Sequence, residues 1–282
     1  MIRFGPSGNS ESFYAQGYKH TYQAMEWLKN MGLNAYEYSF GRGVNLSDES
    51  AALIAKYAAA HHIKISVHAP YFINLANPDP EKREHSYDYI LSSAHAADLL
   101  GGDRVVVHVG AEMKMQRDEA LRLCREGLKE ALLRLKDAGL SHVHICPETM
   151  GKYSQIGNLE ETLDFCLLDE SLIPTIDFAH LNALLQGKLD TGEAFERVLD
   201  KIESALGQER ARRIHVHFST IEFTDKGEKR HRTFAEADFG PRFEHLAPLL
   251  VQRAYTPTVI CESKGTMAED ALSMKKSYDA CL

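Results

Sequence analysis

Six side chains of the kinds that bind divalent metal ions stand at the ends of short apolar runs, one in each run. Three are histidines and three are carboxylates: His68, His108, Glu148, Asp177, His217 and Glu262. Imidazole nitrogens together with carboxylate oxygens suit zinc and related divalent ions. Six such groups exceed what one tetrahedral zinc ion needs. The set therefore predicts two ions that share one carboxylate, an arrangement suited to phosphoester hydrolysis.

Such a cluster requires parallel strands whose C-terminal ends meet. Short β-branched runs alternate with helical patterns along the chain of 282 residues, and we predict strands over residues 2–5, 35–39, 64–68, 104–108, 142–148, 173–177, 213–218 and 258–262. Eight strands, each followed by a helix, indicate a (β/α)8 (TIM) barrel, in which the working residues lie at the C-terminal ends of the strands. We expect one α/β TIM-barrel domain over residues 1–282, with a doubly wound open sheet as the alternative.

The helical patterns fall between these strands. We predict helices over residues 20–31, 48–62, 82–100, 117–138, 159–168, 191–206, 242–252 and 268–280. The second has the clearest boundaries, because Ser47 is a suitable N-cap and Asp48 and Glu49 occupy its first turn.

Side-chain alternation predicts what lies beneath the cluster. The residue two positions before each strand end faces the same way, which places Ser66, Val106, Cys146, Thr175, His215 and Ile260 in the layer below. Most of these are small or apolar, as a filled barrel requires. His215 is the exception, and it is either a partner of the metal ligands or a hydrogen-bonded core residue. Glu148, on the middle strands of the cluster, is the predicted bridging carboxylate.

Composition limits the classes of function. The chain has 32 basic and 40 acidic residues, a formal net charge of −8, which argues against a protein that coats nucleic acid with a diffuse basic surface. Its five cysteines form no C-x-x-C pair, so we expect neither a disulfide framework nor a thiolate zinc site, and a reducing cytoplasm fits best. Without a long apolar stretch or a signal-peptide pattern, we expect neither membrane insertion nor secretion.

The motifs around the six groups resemble a known family. The run VHAPYFINLA over residues 67–76 is the most specific, and it is joined by HVG at 108–110, PET at 147–149, DFAH at 177–180 and CE at 261–262. Together they resemble the endonuclease IV family of apurinic/apyrimidinic (AP) endonucleases, and the match extends from residue 2 to about residue 265. The resemblance implies a (β/α)8 barrel with a trinuclear zinc cluster that hydrolyses the DNA backbone 5′ to an abasic site during base excision repair.

The same resemblance implies a ligand set for each zinc ion. The first ion takes His68, His108 and Glu148, and the second takes Glu148, Asp177, His217 and Glu262, with Glu148 and Glu262 as the catalytic carboxylates. The third takes His180 and two residues of an Asp-Arg-His triplet, which reads Lys229-Arg230-His231 in this chain. Two zinc sites are thus complete and the third keeps His180 and His231 but lacks its aspartate. The nearby carboxylates that could replace it are Asp225, Glu228, Glu236 and Asp238.

Two residues correspond to side chains that enter the DNA base stack in that family. Tyr71 matches a tyrosine after the third strand, and Arg42, in the Gly-flanked run 41–45, is the candidate after the second. The resemblance implies abasic DNA as the partner, with no membrane and no protein partner. The segment 226–232, predicted as a loop, carries four basic residues and one acidic residue, and this local positive charge would attract a phosphodiester.

Two other functions remain open from the sequence. A sugar isomerase or epimerase of the xylose isomerase-like kind would use the same barrel with one or two Mn²⁺ or Mg²⁺ ions, and the missing third-site aspartate favours it. Against it, His68 and His108 make a site richer in nitrogen than those ions usually need. The other alternative is a binding protein that lost its activity, although Glu148, Asp177 and Glu262, buried without a metal, would destabilise the fold.

Overall fold

The computed structural model describes all 282 residues and contains twelve strands. They are β1 (Arg3–Pro6), β2 (Ala35–Ser39), β3 (Lys64–His68), β4 (Arg104–Val107), β5 (Gly110–Ala111), β6 (His144–Pro147), β7 (Gln155–Ile156), β8 (Thr175–Asp177), β9 (His215–Phe218), β10 (Thr220–Thr224), β11 (Gly227–Arg232) and β12 (Thr258–Cys261). Eight of them, in the order β1, β2, β3, β4, β6, β8, β9 and β12, follow the predicted strands closely.

These eight strands close into a parallel barrel. Two four-stranded ribbons, β1-β12-β9-β8 and β2-β3-β4-β6, are each hydrogen-bonded in parallel. Single parallel bridges join the two ribbons, from Ser7 to Glu37 on one side and from Glu148 to Thr175 on the other. The predicted α/β TIM barrel is therefore confirmed, and the open-sheet alternative is wrong.

Eleven α-helices accompany the strands. They are α1 (Glu11–Ala15), α2 (Thr21–Asn30), α3 (Asp48–His61), α4 (Pro80–Leu99), α5 (Arg117–Asp137), α6 (Leu159–Cys166), α7 (Phe178–Leu184), α8 (Gly192–Leu206), α9 (Gln208–Ala211), α10 (Ala247–Gln252) and α11 (Met267–Asp279). Ser47 caps α3 as predicted, because its side chain accepts from the Ser50 backbone N–H. The short helices α1, α7 and α9 were not predicted from the sequence. No helix has the length and apolar character needed to cross a membrane.

The strand alternation is as predicted. Val67, Val107 and Ile176 belong to the main hydrophobic core, which the strands share with the surrounding helices. Val106 and Ile260 are equally buried but lie outside that core, as expected of side chains on the barrel axis. The barrel interior is thus filled below the strand ends, and its ionisable side chains lie at the upper end and in one buried group beneath it.

Residues 227–232 form a strand, so the prediction of the segment 226–232 as a loop was wrong. Strands β10 and β11 form an antiparallel hairpin, and Gly227 at its turn has a φ of 96°, which favours glycine. Three basic side chains of β11, Lys229, Arg230 and Arg232, bond to Glu222 on β10. Much of the positive charge expected to attract DNA is therefore already paired within the hairpin.

A β-bulge decides which hairpin residues face the barrel mouth. Phe223 pairs with Glu228 and the adjacent Glu222 pairs with Arg230, so that Lys229 is the extra residue of β11. A bulge places two consecutive residues on the same side of a strand. Lys229 and Arg230 accordingly both reach Glu222, while the residues on either side of this pair can turn the other way.

Candidate metal centre

The six strand-end side chains converge around the buried carboxylate of Glu148. Its Oε2 lies 2.9 Å from Nε2 of His108 and 3.3 Å from Nε2 of His68. Its Oε1 lies 2.9 Å from Nδ1 of His217, on the opposite strand ribbon. Each oxygen of Glu148 therefore contacts different histidines, which is the geometry that a bridging carboxylate needs.

Two overlapping groups of donor atoms contain Glu148. In the first, one donor atom each from His68, His108 and Glu148 lies within 4.8 Å of the others. The same spacing holds for a second group, which consists of Glu148, Asp177, His217 and Glu262. The structure thus brings together both ligand sets that the sequence resemblance implied.

Asp177 has a free oxygen that faces this second group. Its Oδ1 accepts from the backbone N–H of His180 at 2.7 Å and so caps α7. Its buried Oδ2 has no hydrogen-bond partner, because Nδ1 of His180, which lies 3.4 Å away, contacts the Thr149 carbonyl instead. A buried carboxylate oxygen without a partner is costly, and a divalent cation is the natural compensation. This orphaned oxygen shows that the residues fit a metal ion.

A third group lies at the side of the centre nearest the hairpin. Donor atoms of Asp177, His180 and His231 lie within 4.8 Å of one another. Nδ1 of His231 contacts Oγ of Ser219 at 2.7 Å, which leaves its Nε2 facing Glu262 at 3.7 Å. His180 and His231 are therefore both present at the centre, as implied by the sequence.

Lys229 is turned away from this third group and Glu228 is turned toward it. The exposed ammonium of Lys229 bonds to Glu222, whereas Oε2 of Glu228 lies 3.6 Å from Nε2 of His180. The other carboxylates considered from the sequence lie elsewhere: Asp225 and Asp238 are exposed, and Glu236 pairs with Arg232. Glu228 is thus the carboxylate that the hairpin presents to His180.

The protonation of the centre reflects an excess of negative charge. Burial opposes the charge on Glu148, yet His217 and His108 hold the pKa of this carboxyl well below its usual range. Burial also opposes protonation of the imidazoles, but Glu148 raises the pKa of His68 to about 9, and Asp177 and Glu228 raise that of His180 to about 9. Without a metal, protons on the histidines offset the carboxylates, and a cation would displace these protons.

A further buried carboxylate, that of Glu37 on β2, lies in the layer of side chains directly below the metal centre. It was not predicted from the sequence. It is fully buried, and its oxygens face His217 and His215 at 3.0 and 3.1 Å. Strand alternation was the signal that could have found it, because Glu37 lies two residues before the end of β2 and is in register with Ser66. His215, left open from the sequence, is hydrogen-bonded to Glu37 and is linked to the candidate ligand His217 through that carboxylate.

The centre opens into a cavity of about 430 Å³. Besides metal-centre residues, its walls include Tyr71, Phe40, Lys152 and Gln155. Tyr71 is 56% exposed and lies at the mouth, which suits the expected contact with substrate. Arg42 is exposed and does not line the cavity, although the adjacent Gly41 does.

Comparison with known proteins places this barrel in a family. A family model described as xylose isomerase-like TIM barrel matches residues 25–278. The chain belongs to this family.

Among relatives of this xylose isomerase-like barrel, an uncharacterized protein of Methanocaldococcus jannaschii is 31% identical over 279 residues, covering 99% of this chain and 97% of its own. A probable endonuclease 4 of Listeria welshimeri is 27% identical over 274 residues, which is 93% of this chain and 89% of the relative. The resemblance to endonuclease IV thus extends over nearly the whole chain.

Solved structures of the same fold include enzymes of two kinds. Endonuclease IV from Thermus thermophilus has a TM-score of 0.69 at 21% identity and covers 99% of this chain and 98% of its own. A D-tagatose 3-epimerase-like protein has a TM-score of 0.74 at 20% identity, with 99% and 97% covered. At these identities the similarity establishes the barrel, and the chemistry has to be argued from the centre.

Proposed function

We propose that this protein is a zinc-dependent phosphodiesterase that cleaves DNA at abasic sites, of the endonuclease IV type. The observation that carries the proposal is the sharing of Glu148 between a nitrogen-rich group, with His68 and His108, and a carboxylate-rich group, with His217. Two ions held by one bridging carboxylate suit in-line displacement at phosphorus, and the two imidazoles favour zinc over harder ions.

Each residue of the centre has a defined task in this proposal. When bound, zinc supplies a water molecule acidified to near-neutral pKa and a Lewis acid for the phosphate oxygens. Glu148 would serve both of the paired sites, and Asp177 would contribute its unpartnered oxygen to the carboxylate-rich one. Glu262, close to both His217 and His231, joins that site to the hairpin side of the centre.

The third site is the part of the centre where this chain departs from the family pattern. We propose that His180 and His231 hold a third ion, and that Glu228 takes the place of the missing aspartate. The 3.6 Å separation between Glu228 and His180 supports this assignment, as does the pairing of Lys229 with Glu222 on the outer side of the hairpin. Two zinc sites then have complete ligand sets and the third has a substitute ligand.

Substrate contacts follow from the cavity. Tyr71 at the mouth offers an aromatic face on which an unpaired base can stack, and Lys152 in the wall offers a cation to a phosphate. Arg42, exposed on the neighbouring loop, is proposed to contact the DNA backbone outside the cavity. The proposed partner is DNA that contains an abasic site.

The second candidate is a divalent-metal sugar epimerase. The group formed by Glu148, Asp177, His217 and Glu262 contains three carboxylates and one imidazole, and such an oxygen-rich set also suits a single Mn²⁺ ion. A cavity of about 430 Å³ is large enough for a monosaccharide. In this case His68 and His108 would not be needed to hold the metal.

The variant His108→Ala separates the two functions. Protein loaded with zinc or with manganese is incubated with an end-labelled duplex containing one abasic site, and separately with a panel of ketohexoses. We expect zinc-dependent strand cleavage that His108→Ala abolishes. An uncut duplex, together with ketose turnover that survives His108→Ala, would establish the epimerase instead.

A further inference from the structure

Four side chains form a polar column along the barrel axis beneath the metal centre. From top to bottom they are His217, Glu37, His215 and Arg104, which we call the axial column. His217, Glu37 and His215 are completely buried. Other interior positions of the same layer hold apolar residues such as Val106 and Ile260, so that a charged carboxylate here is an exception.

The contacts of the column run without a gap. Oε1 of Glu37 lies 3.0 Å from Nε2 of His217, although the ring N–H does not point straight at this oxygen. Oε2 of Glu37 contacts Nε2 of His215 at 3.1 Å and accepts from Oγ of Ser66 at 2.8 Å. Nδ1 of His215 lies 3.5 Å from the Arg104 guanidinium, which is itself anchored by the carbonyls of Arg213 and Ile214.

These contacts determine which ring nitrogen carries each proton. A guanidinium only donates, so the Nδ1 of His215 that faces Arg104 is an acceptor and its proton is on Nε2, facing Glu37. Oε1 of Glu37 lies beside Nε2 of His217, so a His217 that binds a metal ion through Nδ1 would keep its remaining proton on Nε2, facing Glu37. In the metal-free chain Nδ1 of His217 contacts Glu148 at 2.9 Å, and a metal ion would replace the proton that these two groups share.

We propose that Glu37 is a positioning residue whose Oε1 holds His217 in the tautomer able to bind metal, while His215 and Ser66 occupy the other oxygen of Glu37. The proposal rests on the metal centre of the proposed function, but it is independent of whether the substrate is DNA or a sugar. Carboxylates that accept from the second nitrogen of a metal-bound histidine fix its orientation, and their loss weakens metal binding about 10- to 100-fold.

Glutamine cannot replace Glu37, although it has the same shape. His215 and Ser66 both donate to the Oε2 position, so the amide oxygen of a glutamine would occupy it and the amide NH₂ would face His217. Nε2 of His217 would then become an acceptor and its proton would move to Nδ1, the nitrogen that faces the metal. The variant Glu37→Gln therefore blocks the ligand nitrogen without changing the packing volume.

A second substitution should reverse this effect. In the double variant Glu37→Gln, His215→Phe, the ring donor to the lower oxygen is gone and the Ser66 hydroxyl can rotate to accept. The glutamine amide is then free to turn over and present its oxygen to His217. If Glu37 served only to pack the core, zinc affinity would not recover in the double variant, because that variant carries two core substitutions instead of one.

The test is zinc affinity, measured by competition with a chromophoric chelator on the full-length chain. We expect binding at the sites that use His217 to weaken about 10- to 100-fold in Glu37→Gln and to recover most of this loss in the double variant. We expect His215→Phe alone, which keeps the carboxylate on His217, to bind zinc nearly as the wild type does. Circular dichroism and thermal unfolding verify that each variant is folded.

The outcomes separate this inference from the proposed function. Wild-type affinity in a folded Glu37→Gln variant, or a double variant that binds no better than the single one, overturns the role of Glu37. If Glu37→Gln does not fold, a loss of zinc affinity in His215→Phe as large as about 10-fold overturns it. A wild-type chain that binds no zinc, manganese or other divalent ion overturns the metal centre and the proposed function together.

Discussion

The two sides of the candidate metal centre are built in different ways. On one side, His68, His108 and Glu148 stand at the ends of adjacent parallel strands, whose register is fixed by backbone hydrogen bonds on both edges. On the other side, His231 and Glu228 stand on a two-stranded hairpin above the barrel, where one bulge decides which residue faces inward. The strand-borne side tolerates little change, whereas the hairpin side can exchange a ligand by shifting one residue.

The largest effect expected on the strand-borne side comes from Glu148→Gln. This change removes the charge shared by both complete sites, so we expect the loss of about two zinc equivalents per chain and a fall in cleavage on the order of 10³-fold or more. Metal analysis of the dialysed protein and a cleavage assay on abasic duplex measure the two effects.

Glu161→Gln is the matched control for that prediction. Glu161 is also a largely buried carboxylate, but it pairs with Arg117 on the outer wall of the barrel, away from the centre. We expect this variant to lose stability and keep its zinc. Unchanged metal content in Glu148→Gln would show that Glu148 is not the bridge.

A smaller effect is expected on the hairpin side, from Glu228→Ala. Because Glu228 faces His180, its loss should weaken one of three zinc sites at least about tenfold and leave the other two occupied. Lys229→Ala, next to it on the bulge, should leave the zinc content unchanged, because Lys229 contacts Glu222 on the outer side. Zinc stoichiometry of the two variants at limiting free zinc measures the difference. Equal stoichiometries would mean that the hairpin contributes no carboxylate.

The same contrast explains what the sequence could and could not predict. The six candidate ligands at the strand ends follow from side-chain alternation and from the geometry of parallel barrels, which requires no knowledge of loops. Glu37 was not predicted because it lies between Tyr36 and Tyr38 on a strand that has no candidate ligand at its end. Helix α7 was not predicted because it begins directly after Asp177, which is both a candidate ligand and the N-cap of this helix.

The hairpin could not be predicted for a different reason. Its register depends on long-range pairing of Lys229, Arg230 and Arg232 with Glu222, and such cross-strand pairs are invisible in a charged run that also fits a solvated loop. The orientation of Glu228 toward His180 depends on this bulge, so it could not be predicted from the sequence.

Substrate contacts offer an intermediate test of the two sides. Tyr71 lies three residues after His68, at the cavity mouth, so we expect Tyr71→Ala to weaken binding of abasic DNA about tenfold through lost stacking. Arg42 lies outside the cavity, and Arg42→Ala should change affinity much less while lowering the salt dependence by about one charge. Fluorescence anisotropy at several salt concentrations separates the two effects. A larger loss in Arg42→Ala than in Tyr71→Ala would contradict this assignment.

The smallest expected effect is a pH dependence that both sides share in the metal-free chain. His68 on the strand-borne side and His180 beside the hairpin each have a pKa raised to about 9 by neighbouring carboxylates, despite the opposing effect of burial. Because these values lie above the unfolded value of about 6.5, protonation stabilises the folded chain fully below that pH, and this stabilisation is lost as the pH rises toward 9.

The free energy of unfolding, measured with urea on chelator-treated protein, should therefore fall between about pH 6.5 and pH 9. His68→Asn and His180→Asn should each remove part of the slope, and zinc should remove most of it because the ion replaces the protons. A metal-free chain whose stability is constant or rises over this range would show that the histidines are not held by the carboxylates in this way.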